Sequence, residues 1–273
     1  MIDLHTHSTI SDGSDAPEHI PVLAAAAGCK AVALTDHDRL DGIPAARAAA
    51  EAAGIELVPG CELSCEIERG TMHLLVYFLE PGEGPLQDEL SRLQEVRDQR
   101  NRVMCEGLGL SYEDLQAEAG GIGAGRPHAA ALLVRAGRAT SIQNAFDTLL
   151  AKGQPGYVEK ERLTPARAME LATASGGVPV LAHPRSLELS PAALRSQIDE
   201  LRALGLAGIE CIYGRYSPEE RAGLAALATD LGLVATGGSD HHGTYKPDLS
   251  VGTGRGDLDV PDSALDDLKS RRR

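Results

Sequence analysis

The sequence predicts an α/β fold in which short strands alternate with helices, and three observations predict it. Apolar runs rich in β-branched residues alternate with Ala/Leu-rich stretches of helical length, the pattern of βα units and a parallel sheet. Proline stands near the start of several of those stretches, where its missing N–H costs nothing. The histidines gather at strand ends rather than scattering over the chain. Seven strands are predicted, over 2–5, 31–36, 56–59, 72–79, 178–182, 208–212 and 233–236. Helices are predicted between most of them, at 17–27, 43–53, 165–174, 191–204 and 218–231. Periodicity leaves two closures open, a barrel and an open doubly wound sheet.

Between residues 82 and 162 the strand signal disappears. A charged helix over 86–104 is followed by Gly-rich turns and short helices, which predicts a helical insertion. The expected division is therefore a barrel or sheet domain from 1–81 and 163–273, with 82–162 as an inserted substrate-capping subdomain. The run from Gly120 to Gly125 lacks the Lys-Ser/Thr of a phosphate-binding P-loop and follows no predicted strand, so it is read as a hinge.

Composition excludes several classes. With 273 residues and 42% apolar content the chain can bury one large core and an appendage. No apolar run approaches the roughly 20 residues of a membrane-spanning helix, and no signal-peptide pattern stands at Met1, so a cytoplasmic protein without membrane association is expected. Five scattered cysteines argue against a disulfide framework, and the Cys61/Cys65 pair has no second pair to complete a zinc ribbon. A net charge of -14 disfavours binding long nucleic acid through a basic surface. An anionic substrate would need locally concentrated positive charge, such as metal ions.

His5 and His7 follow the first strand and Asp12 lies in the next turn. Asp36-His37 closes the second strand, Glu62 follows the third, and His73 is on the fourth. His183 ends the fifth, and Asp240 and His242 follow the seventh. Six of the nine histidines thus fall on a strand or at a strand end. In a parallel α/β fold the carboxyl ends of the strands share one rim, so these groups should converge there. Alternate positions such as His5 and His7 project to the same side and can chelate one ion. Glu62 is suited to bridge two cations, which imidazole is not. Imidazole and carboxylate without thiolate suit Mn²⁺, Fe²⁺ or Zn²⁺. His19 and His241 are left outside the set.

These motifs, His5-Thr-His7, Thr35-Asp36-His37, Gly60-Cys61-Glu62, Met72-His73-Leu74, Ala182-His183-Pro184 and Ser239-Asp240-His241-His242, together resemble the PHP (polymerase and histidinol phosphatase) superfamily. The resemblance implies a distorted (β/α)7 barrel with two or three divalent ions. His5, His7, Glu62 and Asp240 would hold the first; Glu62, His73 and His183 the second; Asp12, His37 and His242 the third. Asp12 stands where some relatives have His, and this harder ligand tilts the expectation toward Mn²⁺. Within the insertion, Gly125-Arg126-Pro127-His128, Ala145-Phe146 and Gly156-Tyr157-Val158 resemble the TrpH-like branch, which includes 3',5'-nucleoside bisphosphate phosphatases and a 5'-to-3' exoribonuclease.

The implied activity is hydrolysis of a phosphate monoester or diester of a nucleotide or short oligonucleotide, by in-line attack of a metal-bridging hydroxide. Glu62, Asp240, His242 and Arg126 would be catalytic, and Arg126, His128 and Arg185 would bind the phosphorylated substrate. The rival readings are a histidinol-phosphate-type phosphatase, a non-catalytic metal-binding barrel, and a metal-dependent amidohydrolase.

Overall fold

The computed structural model describes residues 1–120 and 123–272. Its centre is a six-stranded sheet in sequence order, with β1 Ala31–Leu34, β2 Glu56–Cys65, β3 Met72–Tyr77, β4 Val178–Leu181, β5 Gly208–Tyr213 and β6 Val234–Gly238. The first predicted strand forms no regular ladder, yet it closes the sheet. Asp3 donates its N–H to Ala31 O (3.1 Å) and Leu4 donates to Gly237 O (3.1 Å), so residues 2–7 lie between β1 and β6. Further along, Thr35 N–H reaches Thr6 O and Asp240 N–H reaches His5 O. The result is a seven-staved distorted barrel. Gly238 permits this closure, because a Cβ there would stand 2.4–2.5 Å from the Cβ and N of His5.

The sheet is not wholly parallel, which corrects the sequence expectation. β3 runs antiparallel to both β2 and β4, while β1–β2, β4–β5 and β5–β6 are parallel. The physical reason is the short link from Cys65 to Met72, too short for a helical crossover. Reversal puts the start of β3, rather than its end, at the rim where its neighbours finish.

Strand alternation divides the core. Ile2 and Leu4, Ala31 and Ala33, Leu75 and Tyr77, Val178 and Val180 pack together inside the barrel. The intervening Val32, Leu34, Leu74, Val76, Leu181 and Ile209 pack outward on the helices. Those helices are α1 His19–Ala26, α2 Ile43–Ala53, α3 Pro85–Leu108, and, past the insertion, α7 Pro165–Ala174, α8 Pro191–Ala203 and α9 Pro218–Leu231. Thr164, Ser190 and Ser217 cap α7, α8 and α9, each side-chain oxygen accepting a first-turn N–H, with Pro at the next position. α1 begins two residues later than the Pro17 start read from sequence. The last helix, α10 Ser263–Ser270, sends Ala264, Leu265 and Leu268 into the interior cluster at the Ile2 end of the barrel.

Residues 85–150 hold α3, α4 Tyr112–Glu118, α5 Arg126–Arg135, α6 Ile142–Ala145 and a π-helical turn, Phe146–Leu150. Among the described residues no strand interrupts them. The first half of α3 buries Leu86, Leu90 and Leu93 against the barrel. Its second half joins a separate core of Met104, Cys105, Leu108, Leu115, Leu133 and Leu150. Part of the 120–125 glycine run lies outside the described residues. No described helix is long and apolar enough to cross a membrane.

Candidate metal centre and active site

The strand ends bring one carboxylate to the middle of a ring of imidazoles. Glu62 is 1% exposed, and its two oxygens face different partners. Oε2 lies 3.2 Å from His5 Nε2, 3.1 Å from His7 Nε2 and 3.3 Å from His37 Nδ1. Oε1 lies 2.8 Å from His73 Nδ1 and 2.9 Å from His183 Nε2. His73 reaches this point because β3 is reversed, with His73 opposite Ser64 and Leu75 opposite Glu62. The last two residues of the set arrive from the loop after β6: Asp240 Oδ1 stands 3.4 Å from His7 Nε2 and 3.3 Å from His242 Nδ1. Asp12 completes the ring, with Oδ1 3.3 Å from His242 Nε2 and Oδ2 3.9 Å from His37 Nε2.

Three groups have donor atoms close enough to share an ion: His5, His7, Glu62 and Asp240; His37, Glu62 and His73; and His7, Asp12, His37 and His242. His7 and His37 each present one ring nitrogen to one group and the other nitrogen to a second. The donor set fits divalent cations, since it is imidazole nitrogen and carboxylate oxygen with no thiolate. A more specific observation agrees. His37 Nδ1 and His73 Nδ1 are buried and make no hydrogen bond of acceptable geometry, although both face the Glu62 carboxylate. Buried imidazole nitrogens that face a carboxylate without hydrogen-bonding it are groups a divalent cation between them would satisfy. Cys61 and Cys65 are packed in the outer hydrophobic core and belong to none of the three groups, and burial pushes both thiols up, Cys65 to about 12.

The surrounding shell aims these ligands. His5 Nδ1 bonds Glu210 Oε1 at 2.9 Å, which turns Nε2 inward, and Glu210 Oε2 accepts the His183 N–H at 2.7 Å. Ser186 holds His183 Nδ1 at 3.0 Å. Tyr213 OH and Lys246 Nζ both donate to Asp240 Oδ2, leaving Oδ1 for the centre. Asp36 accepts from Ser8 and Ser11 and fixes the turn that carries Asp12. Sequence reasoning missed Glu210, Tyr213 and Lys246. Only Glu210 left a signal, a carboxylate inside the apolar β5 run. His183 and Asp240 adopt positive φ of 25° and 55°, strained backbone at the two points where the strand ends must turn a ligand inward.

Electrostatics follow from this crowding. Burial penalises every charged form here. In His5 the neighbouring Glu210, Glu62 and Asp240 carboxylates overcome it and push the pKa well up, and His7 rises to about 9 through Asp240 and Glu62. Burial wins in His37, whose pKa falls to about 3, and also lowers His73 and His242. Against their burial, Glu62, Asp12 and Asp240 are held well below the usual range, Glu62 and Asp12 by imidazoles and Asp240 by Lys246 and His242.

The substrate residues expected from sequence are only partly brought together. Arg126 lines a cavity of about 270 Å³ beside Asp12, His37 and His73. His128 instead caps α5, its Nδ1 accepting the Gly125 N–H at 3.2 Å, with its ring edge-on to Tyr245. Arg185 lies in the short helical turn Pro184–Leu187 after His183, is 56% exposed and pairs with Glu220 at 2.8 Å. His241 bridges Leu249 O and Asp15 and belongs to none of the three groups.

Fold and site thus define an α/β barrel with a multinuclear-type ligand cluster at one rim. Residues 3–161 match the PHP domain model, and the chain belongs to that family. It is 33% identical to the 5'-3' exoribonuclease Rnm of Salmonella typhimurium over 89% of this chain and 85% of the relative. Against the 3',5'-nucleoside bisphosphate phosphatase of Chromobacterium violaceum it is 32% identical, over 92% and 90% of the two chains. A Bifidobacterium adolescentis structure assigned to the metal-dependent phosphoesterases superposes with a TM-score of 0.87 at 28% identity, covering 100% of this chain and 96% of that one.

Proposed function

We propose that this chain is a metal-dependent phosphoesterase acting on nucleotides, a 3',5'-nucleoside bisphosphate phosphatase or a 5'-to-3' exonuclease on short oligonucleotides. The observation that carries the reading is Glu62, one buried carboxylate whose two oxygens each face a separate set of imidazoles. His5, His7, Glu62 and Asp240 would hold one ion, Glu62, His73 and His183 a second, and Asp12, His37 and His242 a third. Two or three ions, with Mn²⁺ favoured over Fe²⁺ or Zn²⁺, would supply a nucleophilic water and neutralise phosphate charge.

The remaining chemistry belongs to the protein. Glu62 fixes the spacing of the ligand sets, and Glu210, Tyr213 and Lys246 fix their orientation. Arg126 approaches from the insertion, residues 82–162, which serves as a cap over the barrel of 1–81 and 163–273. Its guanidinium binds the oxygens of a substrate phosphate group remote from the one being cleaved. Arg185, held by Glu220, is left out of this assignment. Five free, buried cysteines fit a reducing cytoplasm. Sequence similarity to a bisphosphate phosphatase and an exoribonuclease supports the nucleotide class.

The test is phosphate release with Mn²⁺ from adenosine 3',5'-bisphosphate, AMP, short 5'-phosphorylated RNA and histidinol phosphate. Preference for the bisphosphate or the RNA is expected. Preference for histidinol phosphate would replace this reading with the rival phosphatase.

A further inference from the structure

His37 is held differently from the other histidines of the cluster. Glu210 aims His5, Ser186 aims His183 and the Asp240 carbonyl aims His242 at 2.9 Å, each through one ring nitrogen, which leaves the other for an ion. His73 sits in the regular β3 ladder, whereas His37 lies past the end of β1 and has no ring nitrogen to spare. Its Nδ1 faces Glu62 at 3.3 Å without a hydrogen bond, and its Nε2 faces Asp12 at 3.9 Å, in two different ligand groups. The direction of the ring therefore comes from its backbone. That backbone is clipped to Glu62 on both sides, the Glu62 N–H donating to Asp36 O at 3.2 Å and the Asp38 N–H donating to Glu62 O at 3.1 Å. Asp38 then turns the chain with a φ of 54°, a left-handed conformation that a non-glycine residue keeps only under restraint. Most of the restraint comes from the insertion. Buried Asp38 accepts the Ser64 N–H of β2 on Oδ1 at 3.2 Å, but Oδ2 accepts Arg97 at 2.5 Å and Lys160 at 2.9 Å, and its carbonyl accepts Gln94 Nε2 at 3.3 Å. Gln94 and Arg97 lie on α3, and Lys160 on the segment returning to the barrel. Arg97, Arg100 and Lys160 line one cavity wall beside His37 and His73. Burial, helped by Arg97 and Arg100, lowers Lys160 to about 8 against the pull of Asp38. Without that carboxylate, three cations would face one another at the seam between insertion and barrel.

We infer that Asp38 is a positioning residue that couples the metal-ligand cluster to the inserted helices. By locking the insertion onto the barrel it holds the backbone that aims His37, and so makes ion binding at the two groups containing His37 depend on a seated insertion. The group of His5, His7, Glu62 and Asp240 lacks His37 and is independent of this latch. Coupling of this kind is reciprocal, so ions at the His37 groups hold the insertion down in return. The inference rests on reading the cluster as a metal centre and gives the inserted helices a role in it besides covering the site.

A carboxylate that only stabilised the fold would lower the melting temperature and leave the pattern of ion binding alone. The test is Mn²⁺ binding to the full chain by titration calorimetry, with bound metal counted by atomic emission, in wild type, Asp38→Asn and Arg97→Gln. Asp38→Asn keeps the size of the side chain and the acceptor for Ser64 and removes the charge. It should weaken Mn²⁺ at the His37 groups roughly ten- to hundredfold while one ion binds as in wild type. Arg97→Gln changes the insertion's side of the contact without touching the residue next to His37, and should reproduce part of the same selective loss. Mn²⁺ should also slow cleavage of residues 82–162 by a protease of broad specificity in wild type, and slow it much less in Asp38→Asn. Equal weakening of every ion, unchanged binding in Asp38→Asn, or Mn²⁺ protection that survives the substitution would overturn the coupling. If Asp38→Asn does not fold, Arg97→Gln decides alone, and the absence of a selective loss there overturns it equally. Wild type that takes up no Mn²⁺ would sink the metal-centre reading and the coupling with it, whereas wild type and Asp38→Asn that load alike would sink the coupling only.

Discussion

Glu62 sits within 2.8–3.3 Å of five imidazole nitrogens, so replacing its charge while keeping its shape is the sharpest single-residue change available. Glu62→Gln should keep the barrel folded and lower turnover by orders of magnitude, with reduced metal content by atomic emission. Near wild-type turnover would remove Glu62 from the bridging role. Protonation gives a second prediction at this scale. In the metal-free protein the neighbouring carboxylates outweigh burial, pushing His7 up to about 9 and His5 well above the ordinary imidazole value. Their raised folded-state pKa values contribute stability that is full below about pH 6.5 and is lost as pH rises through about 9. Near pH 7 both are protonated before metal arrives, so Mn²⁺ uptake should expel protons. Titration calorimetry in buffers of different ionisation enthalpy reads this directly, and a buffer-independent heat would contradict it. Arg126→Ala should penalise adenosine 3',5'-bisphosphate more than AMP, by roughly ten- to hundredfold in kcat/KM. Equal losses would mean that Arg126 serves the reacting phosphate.

At the scale of elements, closure of the barrel depends on an irregular stave. Gly238 lies against His5, and Gly238→Ala would push residues 2–7 off β6. A cost of about 1 to 3 kcal/mol is expected from overpacking of this kind, together with weakened metal binding, since His5 and His7 ride on that stave. Thermal melting and metal analysis together check it; a variant with wild-type melting and metal content would show that the stave tolerates displacement. The same region shows what was legible beforehand. His5, His7, His183 and Asp240 stand at the ends of apolar runs that are plain in the sequence, and those ends do converge, whereas Glu62 lies inside β2, which continues to Cys65 past the expected end at residue 59. Residues 2–5 read as a strand, but this stretch makes isolated bridges, Ile2 to Val260, Asp3 to Val32 and Thr6 to His241, instead of a ladder, because it must fit between β1 and β6. The reversal of β3 was hidden because apolar periodicity is the same in either direction. The Arg97, Arg100 and Lys160 side chains were hidden for a related reason. On a charged helix and a polar linker, a cation aimed at a cavity looks like one aimed at solvent. Arg185 is adjacent to His183 in sequence, yet its guanidinium turns to Glu220 at the surface, which sequence adjacency could not show.

For the whole molecule, a -14 protein gathers Glu62, Asp240 and Asp12 at one rim with six imidazoles, and the cations that would neutralise them also tie together staves from both ends of the chain. Binding to the folded state alone stabilises it, so verified removal of metal should lower the melting temperature. An unchanged melting curve would mean that the rim is held by its hydrogen bonds alone. On this reading, metal at this rim drives phosphate ester hydrolysis. The most direct measurement is phosphate release from adenosine 3',5'-bisphosphate by protein stripped of metal and then reloaded with Mn²⁺. The expected result is no release above background from the stripped protein and restored release on reloading, whereas undiminished release from verified metal-free protein would rule out metal-driven hydrolysis at this rim.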